Sequence, residues 1–203
     1  MKVFCGGMDL KEARSGGGGM KPLVGLFAQL EHFPRPTVCA LNGGALGGGA
    51  GLACCCDVRV AARGAYLSFP EVRRGLAPAM ISTYVVKALG PGLATEAMLT
   101  GRRLPAERLH ALGVVSELAT DSGDALTAAV GGVVEDLLKG APGAAADIKE
   151  LVRYVASHSQ AECEQYTAKL FAKMMAGEEA AHGLMAFAQK KSPDWDALVR
   201  SKL

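Results

Sequence analysis

The run Asn42-Gly43-Gly44-Ala45-Leu46-Gly47-Gly48-Gly49-Ala50-Gly51 is followed twenty residues on by Phe69-Pro70-Glu71. Glycine lets backbone approach a ligand closely and leaves amide hydrogens free to point at it. Where such a run opens a helix, the aligned peptide dipoles add to those hydrogen bonds. A developing oxyanion is the charge this arrangement stabilises best, and Glu71 is the nearest group able to move a proton. An anion-stabilising pocket beside a general acid/base is the apparatus of enolate chemistry.

Each part has a plainer reading. A glycine-rich turn also permits tight packing of a helix on a sheet, and a carboxylate after a strand can simply be solvated. Dinucleotide binding is a weaker alternative: a G-x-G-x-x-G spacing occurs in so dense a run, but no ribose-binding acid ends the next strand, and the P-loop lysine is absent.

The elements that must position these groups read as α/β. Residues 2–5 read as a strand, 9–20 as a helical turn with a glycine loop, and 21–32 as a helix with apolar residues at Leu23, Leu26, Phe27 and Leu30. Strands follow at 37–41, 57–61 and 66–69, with a small-residue helix at 50–56 between the first two. Beyond them, helices read over 79–89, 93–100 and 105–112, each closed by glycine, then a strand at 114–118. Long helices at 124–139, 144–158, 161–176 and 178–191 complete the chain. Two regions follow: residues 1–120 as a core carrying the chemistry, and 121–203 as a helical region.

The chain has 203 residues, 50% of them hydrophobic and 21% charged, as a globular protein does. A net charge of +2 argues against a nucleic-acid surface. Aromatics are sparse, so Ala, Leu and Val must fill the core. Six cysteines, three of them adjacent at 54–56, fit neither a disulfide framework nor a zinc site. They read as reduced, buried thiols in a reducing compartment. No apolar run is long enough to span a bilayer.

Several motifs in order resemble the enoyl-CoA hydratase/isomerase (crotonase) superfamily. Phe4 to Glu12 resembles its F-C-A-G-A-D-L-K-E segment, and Val38 to Asp57 its glycine-rich signature. Phe69 to Pro78 resembles F-x-x-P-E-x-x-x-G-x-x-P; Leu99 to Leu104 and Gly113 to Val115 match later elements. Ala186 to Lys191 resembles the family's A-F-x-x-K-R. The resemblance implies a crotonase (ClpP-like) spiral core of ββα units with a C-terminal helical oligomerisation region.

For the site, the resemblance implies that the amides of Met8 and Gly48 hold a thioester carbonyl, with Glu71 as acid/base. It implies substrate contacts at Gly6, Gly7, Asp9, Leu10, Lys11, Gly47, Gly51 and Pro78. Phe187 and Lys190 match positions that bind the adenine end of coenzyme A, often from a neighbouring subunit. Lys11 and Arg14 could meet phosphates or be solubilising charges. At Gly51 the best-known hydratases carry a second catalytic glutamate, so two-carboxylate hydration is in doubt here. The implied reaction is hydration/dehydration of a 2-enoyl-CoA or acyl-carrier thioester. The pattern around Ala77 to Val86 leans toward methylglutaconyl-CoA hydratase-like members, with a Δ3,Δ2-enoyl-CoA isomerase as alternative.

Coenzyme A enters as part of the substrate, with no separate cofactor or metal, and the family implies a homotrimer or dimer of trimers. Relatives normally carry several dozen residues before the segment corresponding to Phe4, so the N-terminal part of the core is expected to be missing. A non-catalytic partner subunit is the reading that would follow from a chain that short. Asp57 is expected to be structural. His32, His110, His158 and His182 have no partner spacing and no catalytic role.

Overall fold

The computed structural model describes residues 3–8 and 20–200, so Asp9, Leu10, Lys11, Arg14 and the glycine loop lie outside the described residues. The chain divides into two compact units, Met1–Phe33 with Thr37–Val133, and Pro34–Pro36 with Val134–Leu203.

In the first unit, strand β1 (Val3–Cys5) precedes helix α1 (Met20–Glu31), strands β2 (Val38–Leu41) and β3 (Gly44–Leu46), and helix α2 (Gly48–Cys55). Strands β4 (Val58–Ala62) and β5 (Tyr66–Ser68) lead to 3-10 turns at Pro70–Arg74 and Ala79–Ile81, and then to helix α3 (Ser82–Thr100). Strand β6 (Arg103–Pro105), helix α4 (Ala106–Ala111) and strand β7 (Glu117–Ala119) follow, then helix α5 (Asp124–Leu138), which runs into the second unit.

From β2 to β5, successive strands alternate between two sheets. One has the order β1-β3-β5-β6 and the other β2-β4-β7. All pairings are parallel except β5 with β6. Strands of three to five residues joined by tight corners are what wind the chain into a spiral. The core between the layers is packed by alanines, leucines, valines and buried thiols around Phe27 and Phe69, as the scarcity of aromatics requires.

Helix α2 is Gly-Gly-Ala-Gly-Leu-Ala-Cys-Cys. Three glycines weaken a helix by about 1 kcal/mol each relative to alanine, so its stability comes from packing. A Cβ on Gly49 would meet the Cys5 carbonyl and stand 2.7 Å from the Cys5 Cβ. Only a helix without side chains on that face can lie so close to β1.

Several expected elements differ. The strand β3 lies inside the glycine run, held by parallel neighbours on both sides despite poor strand propensity. The helices read at 79–89 and 93–100 are one span broken at Gly90 (φ 73°, ψ 159°), a conformation glycine tolerates, with Pro91 restarting the helix. The strand expected at 114–118 is shorter and later. The Val114 and Val115 amides instead bond back to Leu109 O, while Ser116 bonds to Arg59 O.

The second unit is helical: α6 (Pro142–Val155), α7 (Gln160–Met175), α8 (Glu178–Ala188) and α9 (Trp195–Arg200), besides the end of α5. Ser159 and Glu162 form a capping box at the start of α7. Glu179 reaches the start of α6, accepting bonds from the amides of Gly143 (2.8 Å) and Ala144 (3.0 Å). Among the described residues, no helix is long and apolar enough to cross a membrane.

Candidate active site

Three segments leave the C-terminal ends of β1, β3 and β5, which are parallel neighbours in one sheet. They are Gly6-Gly7-Met8, Gly47-Gly48 and Phe69-Pro70-Glu71. Adjacent strands lie about 4.8 Å apart, so the three segments must emerge side by side.

Gly7 (φ +88°) turns the chain at the end of β1, where a Cβ would stand 2.8 Å from Leu46 O and 3.1 Å from the Gly48 nitrogen. A Cβ on Gly48 would in turn stand 3.7 Å from the Met8 nitrogen. The amides of Met8 and Gly48 are therefore neighbours, and the second opens helix α2. Among the described residues, no backbone hydrogen bond takes up either amide. The Met8 side chain is exposed, so what position 8 contributes is its backbone.

Glu71 rides on the 3-10 turn Pro70–Arg74. Fully buried Phe69 anchors its start, and Gly75 in the left-handed region (φ 72°) closes it. Leu76 N donates to Glu71 O at 3.1 Å, fixing the backbone. The carboxylate lies on Gly47, and its Oε2 is buried with no hydrogen-bond partner among the described residues. A buried, unsatisfied carboxylate oxygen costs stability, so its place in this wall calls for an explanation.

The amides and the carboxylate share one cavity of about 360 Å³. Its walls include Phe27, Leu46, Pro70, Leu76, Ala77, Met80 and Ile81, and among the described residues Glu71 is the only acidic one lining it, beside the cation Arg74. This pairs paired amide donors with one proton carrier in an apolar enclosure, which suits formation and protonation of an enolate.

Gly6, Gly7, Met8, Gly47, Gly48, Glu71 and Pro78 all line this cavity. Gly51 does not: it is buried in α2, covered by Ile81. Phe187 (81% exposed, in α8) and Lys190, just after α8 at φ 56°, belong to the second unit and do not line the cavity. Sequence reasoning missed the walls Phe27, Arg74, Leu76, Met80 and Ile81. Phe27 carried a signal, since it falls on the apolar stripe of α1; the others come from an irregular stretch with no periodicity.

Asp57 is structural, as expected: its Oδ2 accepts from the Thr37 amide (2.7 Å) and hydroxyl (2.8 Å). None of the four histidines lines the cavity. All six thiols are free, and Cys39, Cys54, Cys55 and Cys163 are buried. A hydrogen bond between Cys39 and Cys56 pushes the Cys39 thiol up and holds Cys56 down, with Arg59 adding to the second effect. Burial pushes Cys54 and Cys55 up to about 12.

The chain resembles known proteins in sequence and in fold. The chain is 37% identical over 189 residues to enoyl-CoA hydratase ACTT6 of Alternaria alternata, covering 92% of this chain and 63% of that protein. It is 34% identical to human mitochondrial enoyl-CoA hydratase domain-containing protein 2, covering 94% and 68%. Pseudomonas aeruginosa AtuE superposes with a TM-score of 0.88 at 33% identity, covering 95% of this chain and 77% of that one. An enoyl-CoA hydratase from Bacillus anthracis follows at 0.86 and 27%, covering 96% and 77%. The chain thus spans less than two thirds of ACTT6. The family model for enoyl-CoA hydratase/isomerase matches residues 1–198, within which the paired amides and Glu71 all fall. On this match and these relatives, the chain belongs to the enoyl-CoA hydratase/isomerase (crotonase) family.

Proposed function

We propose that the chain adds water to, or removes it from, a 2-enoyl thioester of coenzyme A or an acyl carrier. The Met8 and Gly48 amides hold the thioester oxygen, each stabilising the enolate by about 3 kcal/mol. Glu71 takes a proton from water as its oxygen bonds to Cβ. The double-bond electrons move onto the thioester oxygen, and Glu71 returns the proton to Cα as the carbonyl re-forms. The observation that carries this reading is Glu71 Oε2, unpartnered among the described residues, in the cavity that also holds both amides.

Δ3,Δ2-enoyl-CoA isomerisation is the second reading, favoured by the absence of any other acidic residue from the cavity wall among the described residues. There Glu71 removes a proton from C2 to give a dienolate held by the same two amides, and returns it to C4 as the double bond moves from C3–C4 to C2–C3. Turnover of crotonyl-CoA, 3-methylglutaconyl-CoA and a 3-enoyl-CoA, followed by absorbance of the conjugated thioester, decides between them. Hydration lost in Glu71→Gln supports the first reading. Conjugation of the 3-enoyl-CoA without hydration supports the second, and silence on every substrate from folded protein overturns both.

A homotrimer or dimer of trimers is part of this proposal. Exposed apolar side chains on the second unit, among them Leu138, Phe171, Leu184 and Phe187, support it. Six unpaired thiols support a reducing compartment.

A further inference from the structure

Gly51 lies three residues beyond Gly48 on α2, so the two share a helix face about 5–6 Å apart. An acid at 51 would therefore fall within reach of a thioester held at the Gly48 amide. That direction is closed. A Cβ on Gly51 would stand 2.7 Å from Ile81 Cβ, closer still to its Cγ2, and 3.5 Å from its Cδ1. Ile81 is 4% exposed and presents its side chain to the cavity in place of position 51.

Ile81 cannot step aside cheaply. It ends the turn Ala79–Ile81, where its amide donates to Pro78 O (3.3 Å) and the Ser82 hydroxyl donates to Ala79 O (2.8 Å). Its β-branched side chain is also stiff about χ1, unlike the neighbouring Met80.

We propose that Ile81 is a specificity-determining residue that excludes a second acid from position 51, by occupying the space its side chain would need. This rests on the function proposed above. Its consequence is that positions 51 and 81 are coupled: an acid at 51 reaches the reacting carbons only when residue 81 is small.

The test compares Gly51→Ala, Gly51→Glu, Ile81→Ala and the two double variants by melting temperature and by crotonyl-CoA hydration against pH. Each single change at 51 is expected to lower Tm by about 5 °C, and Ile81→Ala added to it recovers most of that loss relative to Ile81→Ala alone. Gly51→Glu/Ile81→Ala is expected to raise kcat/KM about tenfold or more over Ile81→Ala and to add a second limb to the pH profile. Gly51→Glu alone keeping wild-type Tm and showing that limb would overturn the assignment. Additive Tm changes with no limb in the double variant would overturn it too. If the glutamate variants do not fold, the Gly51→Ala pair reads the coupling by itself. Loss of the function reading is seen separately, as no Glu71-dependent turnover in the wild type.

Discussion

The Glu71 carboxylate rests on the backbone of Gly47, where a Cβ would stand 2.7 Å from its Oε1. Gly47 itself sits at a positive φ of 52° with ψ −121°, a conformation that side chains rarely adopt, as the residue before helix α2. Gly47→Ala therefore strains the backbone and pushes the carboxylate off its seat. We expect kcat/KM to fall about 100-fold and stability by about 1–2 kcal/mol, read by steady-state kinetics and urea unfolding.

Replacing the acid itself separates activity from stability. Glu71→Gln keeps the shape of the side chain but cannot accept a proton, so kcat should fall about 10³-fold with KM changed only a few-fold. Because Oε2 has no partner to lose among the described residues, Tm should stay level or rise by a degree or two. A fall of many degrees by calorimetry would show that the carboxylate holds the fold together.

The buried thiols make a pH prediction. Cys54 and Cys55, each under a tenth exposed, are pushed up to about 12 by burial, above the value an unfolded chain would give. Their raised pKa means the folded state keeps its protons longer than the unfolded one. The stability they contribute is complete below about pH 9 and is lost as pH climbs toward 12, by up to about 1.4 kcal/mol per unit per thiol. Cys54→Ala/Cys55→Ala should show a shallower decline over that window, measured by denaturant midpoints at successive pH values.

In the second unit, Glu179 serves as a side-chain cap for a helix distant in sequence. Its two oxygens accept from Gly143 N and Ala144 N, where the α6 dipole also favours negative charge. Glu179→Ala should cost about 1–2 kcal/mol, and Glu179→Gln roughly half of that, by thermal unfolding.

The parts of the site that could be read in the sequence are those whose chemistry is carried by residue type. Glycines at 7, 47 and 48 and a lone glutamate at 71 announce themselves because few other residues could do their work. The helices were legible for a related reason: glycine and proline mark their ends, as at Gly90-Pro91 and Gly101. Strand β3 was not, since Gly44-Ala45-Leu46 is a strand only by virtue of its neighbours. Strand β6, ending in Pro105 and pairing antiparallel, was hidden in the same way. The cavity walls at 76–81 were least legible, because two irregular turns aim those side chains and no repeat records their direction.

The strand ends of β1, β3 and β5 have one more implication. The spacing between the two amides and the carboxylate is set by peptide hydrogen bonds across a sheet, while Met80 comes from a separate turn. On the proposed function, mutation at Met80 can therefore rework the acyl side of the enclosure without moving the reaction centre. The architecture separates what is transformed from how it is transformed, so new substrates are open to it at little risk to the chemistry.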